Sequence, residues 1–190
     1  MFFVIVAVGT SGSGKTTTLE YLINNLSLEG YKIGAIKHIH REGFTIDREG
    51  TNTWRYAKAG SKIVVAISPK EIAVIKKTDN AFNDLDEVIE LLKREKLDIV
   101  FVEGFHSLIA KREDVLKIVT AKDEANLRNT LTQTVEPIIA ITGIIASLPP
   151  PKFELKIPII NLTTEGEQLL QLVKDHMKNG LAPSARQENG

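Results

Sequence analysis

Residues 9 to 16 read Gly9-Thr10-Ser11-Gly12-Ser13-Gly14-Lys15-Thr16 and match the pattern G-x-x-x-x-G-K-[ST] at every fixed position. The apolar run Phe2 to Val8 precedes them, and a helical pattern follows. A strand, a glycine-rich loop and a helix in this order form a phosphate-binding loop, because the glycines let several backbone N–H groups face one anion. The start of the helix adds further N–H donors and the positive end of its dipole. A chance lysine in a glycine-rich turn would lack these flanks, so the sequence predicts a phosphate site.

The side chains of this loop have distinct expected roles. Lys15 is expected to reach the β- and γ-phosphates of a nucleotide and to act in catalysis, and the Thr16 hydroxyl is expected to ligate Mg²⁺. The predicted nucleotide-binding residues run from the first glycine into the helix: Gly9, Thr10, Ser11, Gly12, Ser13, Gly14, Lys15, Thr16 and Thr17.

The composition narrows the class of protein. The chain has 190 residues with 24 basic and 24 acidic ones, so neither a basic field for nucleic acid nor an acidic field for a cationic partner is expected. It has no cysteine, which excludes disulfides and thiolate metal sites. No apolar run approaches the roughly 18 residues that cross a bilayer, and the apolar start lacks the basic residues of a signal peptide. We therefore expect a cytoplasmic protein that binds neither nucleic acid nor membranes.

Strands and helices alternate along the chain, which predicts an α/β fold, a P-loop NTPase with a mostly parallel sheet flanked by helices. Two β-rich runs, Ile63 to Ser68 and Ile72 to Lys76, are joined by a proline-containing turn and predict an inserted β-hairpin. Ile157 to Asn161 is predicted to be a last short strand. We expect one nucleotide-binding domain over residues 1–180 and a disordered tail over residues 181–190.

In parallel sheets, ligands bind beyond the carboxyl ends of the strands, so functional residues should directly follow a strand. Glu103 meets this condition, because it and Gly104 close the apolar run Ile99 to Val102. This is the form of a Walker-B strand, whose acid holds Mg²⁺ directly or through water, and Glu103 is predicted to bind the metal and to act in catalysis. Asp98 begins the same strand and is expected at the opposite end of the sheet, about 16 Å away. A solvated loop carboxylate is the alternative for Glu103.

The second predicted strand, Tyr31 to Lys37, runs directly into His38-Ile39-His40, and Asp47 lies a few residues further on. This region commonly senses the γ-phosphate and the metal in P-loop proteins, so Asp47 is predicted to act in catalysis and to bind Mg²⁺. A polar loop without a site is the alternative for Asp47. The two histidines face the same way on an extended segment and could bind a metal, but no obvious third ligand accompanies them.

The residues that select the base are weakly marked. The guanine-reading motif N-K-x-D is absent, and Thr120-Ala121-Lys122-Asp123 resembles it only loosely. Thr142-Gly143 follows another predicted strand and is a second candidate for contact with a base. The motifs therefore leave the base unassigned.

Several motifs together resemble the molybdopterin-guanine dinucleotide biosynthesis adaptor proteins, the MobB family. They occur in the family's order across residues 2–162 and are Gly9 to Thr17, Lys37-His38-x-His40, Phe44-x-x-Asp47-x-x-Gly50, Trp54-Arg55 with Ala59-Gly60, and Val102-Glu103-Gly104-Phe105. The resemblance implies a P-loop fold, GTP and Mg²⁺ as ligands, weak GTPase activity and a homodimer. It also implies two kinds of partner, the guanylyltransferase that joins GMP to molybdopterin and molybdopterin-binding enzymes.

The chain departs from the family pattern at His106, where a lysine is usual, at Thr142-Gly143, where an aspartate is frequent, and at Thr51-Asn52-Thr53. Two other functions stay open. A small-molecule or nucleoside kinase would use the same loop, but it usually closes an arginine-rich lid, and only Lys111-Arg112 follows Glu103 as a basic step. A nucleotide-dependent scaffold without hydrolysis would need no machinery beyond these motifs.

The predicted hairpin also suggests how two copies of the chain associate. A hairpin that projects from the domain presents an unpaired strand edge, and exposed edges need cover. A symmetric partner that offers the same edge is the simplest cover, so we expect a homodimer through Ile63 to Lys76. Alternatively, both strands extend the parent sheet within one subunit.

Overall fold

A computed structural model of the chain describes residues 2–41, 43–78 and 85–179, without the side chains of His106 and Ser107. The described residues divide into two compact units: residues 2–38 with 85–179 form the first, and residues 39–41 with 43–78 form the second. The elements of the first unit are, in chain order, β1 (Phe3–Val8), α1 (Lys15–Leu28), β2 (Ile33–Lys37), α3 (Leu85–Leu92), β5 (Ile99–Glu103), α4 (His106–Ile109), β6 (Leu116–Thr120), α5 (Glu124–Thr132), β7 (Ile138–Thr142), a 3-10 turn (Ile144–Ser147) and α6 (Leu162–Lys178). The second unit contains α2 (Asn52–Lys58), β3 (Ile63–Ile67) and β4 (Ile72–Lys76).

The strands of the first unit form a parallel sheet in the order β2-β5-β1-β6-β7. Glu103, the last residue of β5, is in register with Ala7 of β1 on one side and Lys37 of β2 on the other. Asp98 lies at the opposite end, where its carboxylate accepts the backbone N–H group of Lys32 at 2.7 Å. The strand polarity therefore brings Glu103, and not Asp98, to the end of β1 at which the phosphate loop begins.

Both faces of the parallel sheet are covered, which explains why its strands are apolar on both sides. Helices α1 and α6 pack on one face, where the buried cluster includes Leu22, Leu26, Phe101, Ile118 and Leu170. The other face holds a second cluster of buried residues, among them Val4, Val6, Val100, Val102, Leu85 and Ile109. The glycine-rich loop is thus carried by a strand and a helix that the core fixes in place.

The second unit is built around an antiparallel hairpin. The turn between β3 and β4 closes when the Ser68 N–H group donates to the carbonyl oxygen of Glu71 at 2.8 Å and the Ser68 hydroxyl accepts the Glu71 N–H group at 3.0 Å. The two strands form a sheet of their own, so the predicted hairpin is confirmed and the alternative that it extends the parent sheet is wrong. One face of this hairpin exposes five apolar β-branched side chains, Ile63, Val65, Ile67, Ile72 and Val74, together with Lys76, which pairs with Ile63.

The predicted last strand, Ile157 to Asn161, is reduced to a single parallel bridge between Ile141 and Ile159. Pro158 has no N–H group to donate, so the segment cannot continue a regular ladder there. In the part of the chain that the structure describes, no helix combines the length and the apolar character that crossing a membrane requires. The single-domain extent stays a prediction, and the predicted tail, residues 181–190, lies outside the described residues.

Candidate nucleotide-binding site

The phosphate loop, residues 9–16, connects the buried end of β1 to the first turn of α1. Gly14 has a φ of 105° directly before the helix, a left-handed conformation that residues with a β-carbon rarely adopt. A β-carbon at Gly9 would overlap the carbonyl oxygen of Thr120, so the loop can approach β6 only with a glycine at that position. The geometry therefore explains both the first and the last glycine of the motif.

The side chain of Ser13 connects the phosphate loop to the end of β6. Its buried hydroxyl lies 2.8 Å from the carbonyl oxygen of Thr10 and 2.6 Å from the hydroxyl of Thr120, the last residue of β6. Because the side chain is engaged within the protein, Ser13 positions the loop, and its predicted contact with a nucleotide is left to the backbone.

Lys15 lies across the loop that carries it. Its ammonium donates to the carbonyl oxygens of Gly9 at 2.9 Å and Thr10 at 2.7 Å. Burial lowers the pKa of Lys15 below the ordinary lysine value; Glu103 acts in the opposite direction, and Lys37 and Lys122 lower the pKa further. Several positive charges therefore converge on the loop, as the binding of a polyphosphate requires.

Glu103 links the phosphate loop to β2. Its Oε2 accepts a hydrogen bond from the Thr16 hydroxyl at 3.0 Å, and its Oε1 is ion-paired with the Lys37 ammonium. A hydroxyl and a carboxylate are hard oxygen ligands of the kind that Mg²⁺ takes together with phosphate oxygens and waters, so Thr16 and Glu103 fit that ion. Within the described residues, no three His, Asp or Glu side chains form a further group that could hold a metal.

The ends of β2 and β5 are joined beyond this ion pair. The His38 N–H group donates to the carbonyl oxygen of Glu103 at 2.8 Å, and the His38 ring stacks on Phe105 with 4.0 Å between the ring centroids. Gly104 has a φ of 103°, and a β-carbon there would lie 2.7 Å from that of His38. His38 of the K-H-x-H motif therefore packs directly against Glu103, Gly104 and Phe105 of the V-E-G-F motif.

Asp47 belongs to the second unit, whereas Lys15 and Glu103 belong to the first. The hydroxyls of Thr51 and Thr53 donate to its Oδ1 at 3.2 and 2.9 Å. Its Oδ2 is buried and has no hydrogen-bond partner among the described residues. That oxygen is available to a ligand, but its predicted metal and catalytic roles stay predictions.

The first candidate for base contact, Thr120 to Asp123, braces the phosphate loop. The Lys122 side chain passes over Gly12, with Nζ 3.7 Å from where a β-carbon of Gly12 would lie. The Asn126 Oδ1 accepts the Lys122 N–H group at 3.1 Å and the Thr10 hydroxyl at 3.3 Å. Asp123 caps α5 by accepting the Asn126 N–H group at 2.8 Å. The sequence did not mark Asn126, because its contacts with the loop bridge 116 residues.

The second candidate, Thr142-Gly143, also packs against the phosphate loop. A β-carbon at Gly143 would overlap the carbonyl oxygen of Ser13, and one at Gly14 would lie 3.1 Å from the α-carbon of Gly143. The Thr142 hydroxyl is buried and has no hydrogen-bond partner in the described part of the chain. Both candidate segments therefore flank the loop, and neither one is assigned to the base by these contacts.

Arg112 belongs to Lys111-Arg112, the basic step considered for a kinase lid, and its guanidinium is bound by carboxylates of the protein. Its guanidinium is paired with Asp114 through two nitrogen atoms and with Asp86 at 2.8 Å. The hydrogen bond to Asp114 is the main cause that raises its pKa. An arginine bound to two carboxylates is not free to close over phosphates.

Comparison with known sequences identifies relatives over most of the chain. The family model described as MobB, molybdopterin guanine dinucleotide synthesis protein B, matches residues 4–143. The chain is 34% identical over 133 residues to the molybdopterin-guanine dinucleotide biosynthesis adapter protein of Haemophilus influenzae, and the match covers 70% of each protein. It is 35% identical over 119 residues to the protein of the same name from Escherichia coli, with 62% of this chain and 65% of the relative covered.

Solved structures show the same fold. Bacillus subtilis MobB matches with a TM-score of 0.72 and 24% identity, over 92% of this chain and 97% of that one. The family model covers far more than half of the chain, and its range includes the phosphate loop, Lys37 and Glu103. This protein therefore belongs to the MobB family.

Proposed function

We propose that this protein is an adapter that binds GTP with Mg²⁺ and supports the attachment of GMP to molybdopterin. One observation carries the proposal. In this member of the MobB family, Lys15 lies across the phosphate loop and the Thr16 hydroxyl donates a hydrogen bond to the Glu103 carboxylate. Relatives with at least 30% identity bear the name molybdopterin-guanine dinucleotide biosynthesis adapter protein, and none of the comparisons favours a kinase.

The same residues support weak hydrolysis of GTP. In that reaction water attacks the γ-phosphorus, the bond to the β,γ-bridging oxygen breaks, and GDP and phosphate leave. The backbone of the loop and Lys15 would bind the phosphates, and Thr16 and Glu103 would hold Mg²⁺, which would supply neutralisation of the phosphate charge. Glu103 contacts both Thr16 and Lys37, and we assign it to metal binding.

The assembly that we propose is a cytoplasmic homodimer joined through the hairpin β3–β4. The five apolar side chains on its exposed face, and strand edges that pair with no other described strand, give a second copy the same surface to pair with, as a two-fold interface requires. The partners of this dimer are the guanylyltransferase that uses GTP and molybdopterin, and the enzymes that bind the finished cofactor.

The test is a reconstituted assay in which the guanylyltransferase, molybdopterin and Mg-GTP are combined with and without this protein. We expect the wild-type chain to increase formation of the guanine dinucleotide cofactor, and the Lys15→Ala variant to lose the increase. The Lys174→Gln variant, which removes a lysine from an ion pair with Glu29, the residue that follows α1, is the matched control and should behave as wild type. A yield unaffected by the wild-type chain would contradict the proposal.

Phosphate release in the same reaction separates an adapter that hydrolyses GTP from a scaffold that only binds it. We expect slow release from the chain alone and faster release with the molybdopterin-loaded partner. Full support of product formation by a chain bound to a non-hydrolysable GTP analogue would instead assign it the role of a scaffold.

A further inference from the structure

The ion pair between Lys37 and Glu103 uses the carboxylate that the metal site needs. Lys37 and Glu103 are the last residues of β2 and β5, and the two strands pair with these residues in direct register. One carboxylate oxygen meets the Lys37 ammonium while the other accepts the Thr16 hydroxyl. The two oxygens of a carboxylate are about 2.2 Å apart by covalent geometry, so the ammonium lies beside the first turn of α1, where the phosphate loop ends.

The folding of the sheet does not require this ion pair. The two strand ends are already joined by the hydrogen bond from the His38 N–H group to the Glu103 carbonyl oxygen and by the stack of His38 on Phe105. The Lys37 side chain is 55% exposed, and an ion pair with such an exposed partner contributes little to stability. These contacts fix the backbone of Lys37 and leave its four-carbon side chain able to move.

The charges around Glu103 determine where this lysine can go. An ammonium and a hydrated Mg²⁺ compete for the same carboxylate oxygen, because both are attracted by its one negative charge. A lysine displaced from Glu103 remains near the phosphate loop, and the terminal phosphate of a bound triphosphate is a strong acceptor for an ammonium. A diphosphate ends one phosphate earlier, so it does not offer that acceptor.

We propose that Lys37 is the residue that distinguishes a bound nucleoside triphosphate from a diphosphate, through transfer of its ammonium from Glu103 to the terminal phosphate when Mg²⁺ is bound. This inference rests on the proposed nucleotide and Mg²⁺ site. The change is confined to the side chain, since His38, Gly104 and Phe105 hold the strand ends. Lys37 therefore acts as a counter-charge for Glu103 in one state and as a phosphate ligand in the other.

The test compares binding of GDP and of a non-hydrolysable GTP analogue by calorimetry, with Mg²⁺ present, to wild type and to Lys37→Gln. We expect the variant to lose affinity for the triphosphate about tenfold to a hundredfold, the range for one charge-assisted hydrogen bond to a phosphate, while its affinity for GDP changes less than about twofold. A titration of Mg²⁺ against the GDP complex should reach its midpoint at a lower concentration in the variant, because the competing ammonium is gone.

Two further variants keep the test decisive. Lys37→Arg retains the charge and should recover most of the triphosphate preference, and Lys174→Gln should match wild type with both nucleotides. Equal losses for GDP and the triphosphate, or no loss for either in a variant with wild-type thermal unfolding, would overturn the role of Lys37. A wild-type chain that binds neither nucleotide would instead overturn the proposed function, and this inference with it.

Discussion

The Thr16 hydroxyl donates a hydrogen bond to the Glu103 carboxylate, with 3.0 Å between the two oxygen atoms. The contact joins the first turn of α1 to the end of β5. It places the Thr16 hydroxyl and the Glu103 carboxylate side by side where the phosphate loop ends. Asp98, the residue before β5, lies at the opposite end of the strand and accepts the backbone N–H group of Lys32. The two acids therefore have separate roles, although only five positions divide them in the sequence.

Glu103→Gln should weaken Mg²⁺-dependent nucleotide binding about tenfold to a hundredfold, the range found when a group that supports a metal site is changed. The amide keeps the shape of the side chain but loses the negative charge that attracts the metal. Asp98→Asn is the matched control and should leave nucleotide affinity unchanged. Equal effects of both substitutions, measured by calorimetry at several Mg²⁺ concentrations, would refute the strand polarity on which the site depends.

We expect GTP to be preferred over ATP by about tenfold or more, a difference of 1.4 kcal/mol. Lysine donates hydrogen bonds to O6 of guanine, whereas adenine presents a donor at that position, and Lys122 beside Gly12 is the candidate donor. Displacement of a fluorescent GTP analogue by each nucleotide measures the ratio, and Lys122→Ala should reduce it. Displacement by ATP at equal or lower concentration would instead favour a general NTPase.

The hairpin prediction concerns assembly. Val65 and Val74 face each other across β3 and β4 and are 52% and 63% exposed. Charged substitutions at both positions, Val65→Lys with Val74→Lys, should shift the protein from dimer to monomer, because two like charges would meet their copies in an apolar interface. Light scattering at micromolar concentration gives the mass, and Leu91→Lys on α3, at a side chain 64% exposed, is the control. A monomeric wild type, or a dimer that tolerates the double substitution, would remove the hairpin interface.

Lys117 provides a prediction on pH and stability. Its ammonium, fully buried on β6, donates to the carbonyl oxygens of Arg112 and Val115, and burial lowers its pKa from the ordinary value of 10.5. Between the lowered pKa and the ordinary one, the unfolded chain binds more protons than the folded chain, so the contribution of Lys117 to the free energy of unfolding rises with pH in that window. Denaturant unfolding of wild type and Lys117→Met should therefore show a stability difference that moves in favour of wild type as the pH rises. A difference that does not change with pH would contradict the assignment.

Local patterns predicted the parts of the fold that local interactions determine. The helical pattern after the phosphate loop indicated a helix at that place, and α1 begins there at Lys15. The two β-rich runs around Ser68 to Glu71 indicated a hairpin, which is confirmed. The Walker-B form of the run that ends at Glu103 placed that acid at the ligand end of its strand, where the register of β1 and β5 also puts it.

Contacts that depend on strand order could not be predicted in the same way. The ion pair of Lys37 with Glu103 exists because β2 lies beside β5, and no local pattern specifies that neighbour. The bond between Ser13 and Thr120 likewise depends on β6 lying beside β1. A lysine that ends a predicted strand was a usable signal for Lys37, but without the strand order no sequence pattern pairs it with Glu103.

Calorimetric titration with a non-hydrolysable GTP analogue and Mg²⁺ shows whether the loop from Gly9 to Thr16 binds the phosphates of a guanine nucleotide. Among the described residues, the hydrogen bonds of the Lys15 ammonium go to the backbone of its own loop, so Lys15→Ala should leave the thermal unfolding midpoint close to that of wild type. The variant should nevertheless lose affinity by about a hundredfold, because a lysine that contacts two phosphates is removed. Saturable binding by wild type with this loss in the folded variant is the predicted result. Equal affinity of the two proteins would contradict the binding of nucleotide phosphates by this loop.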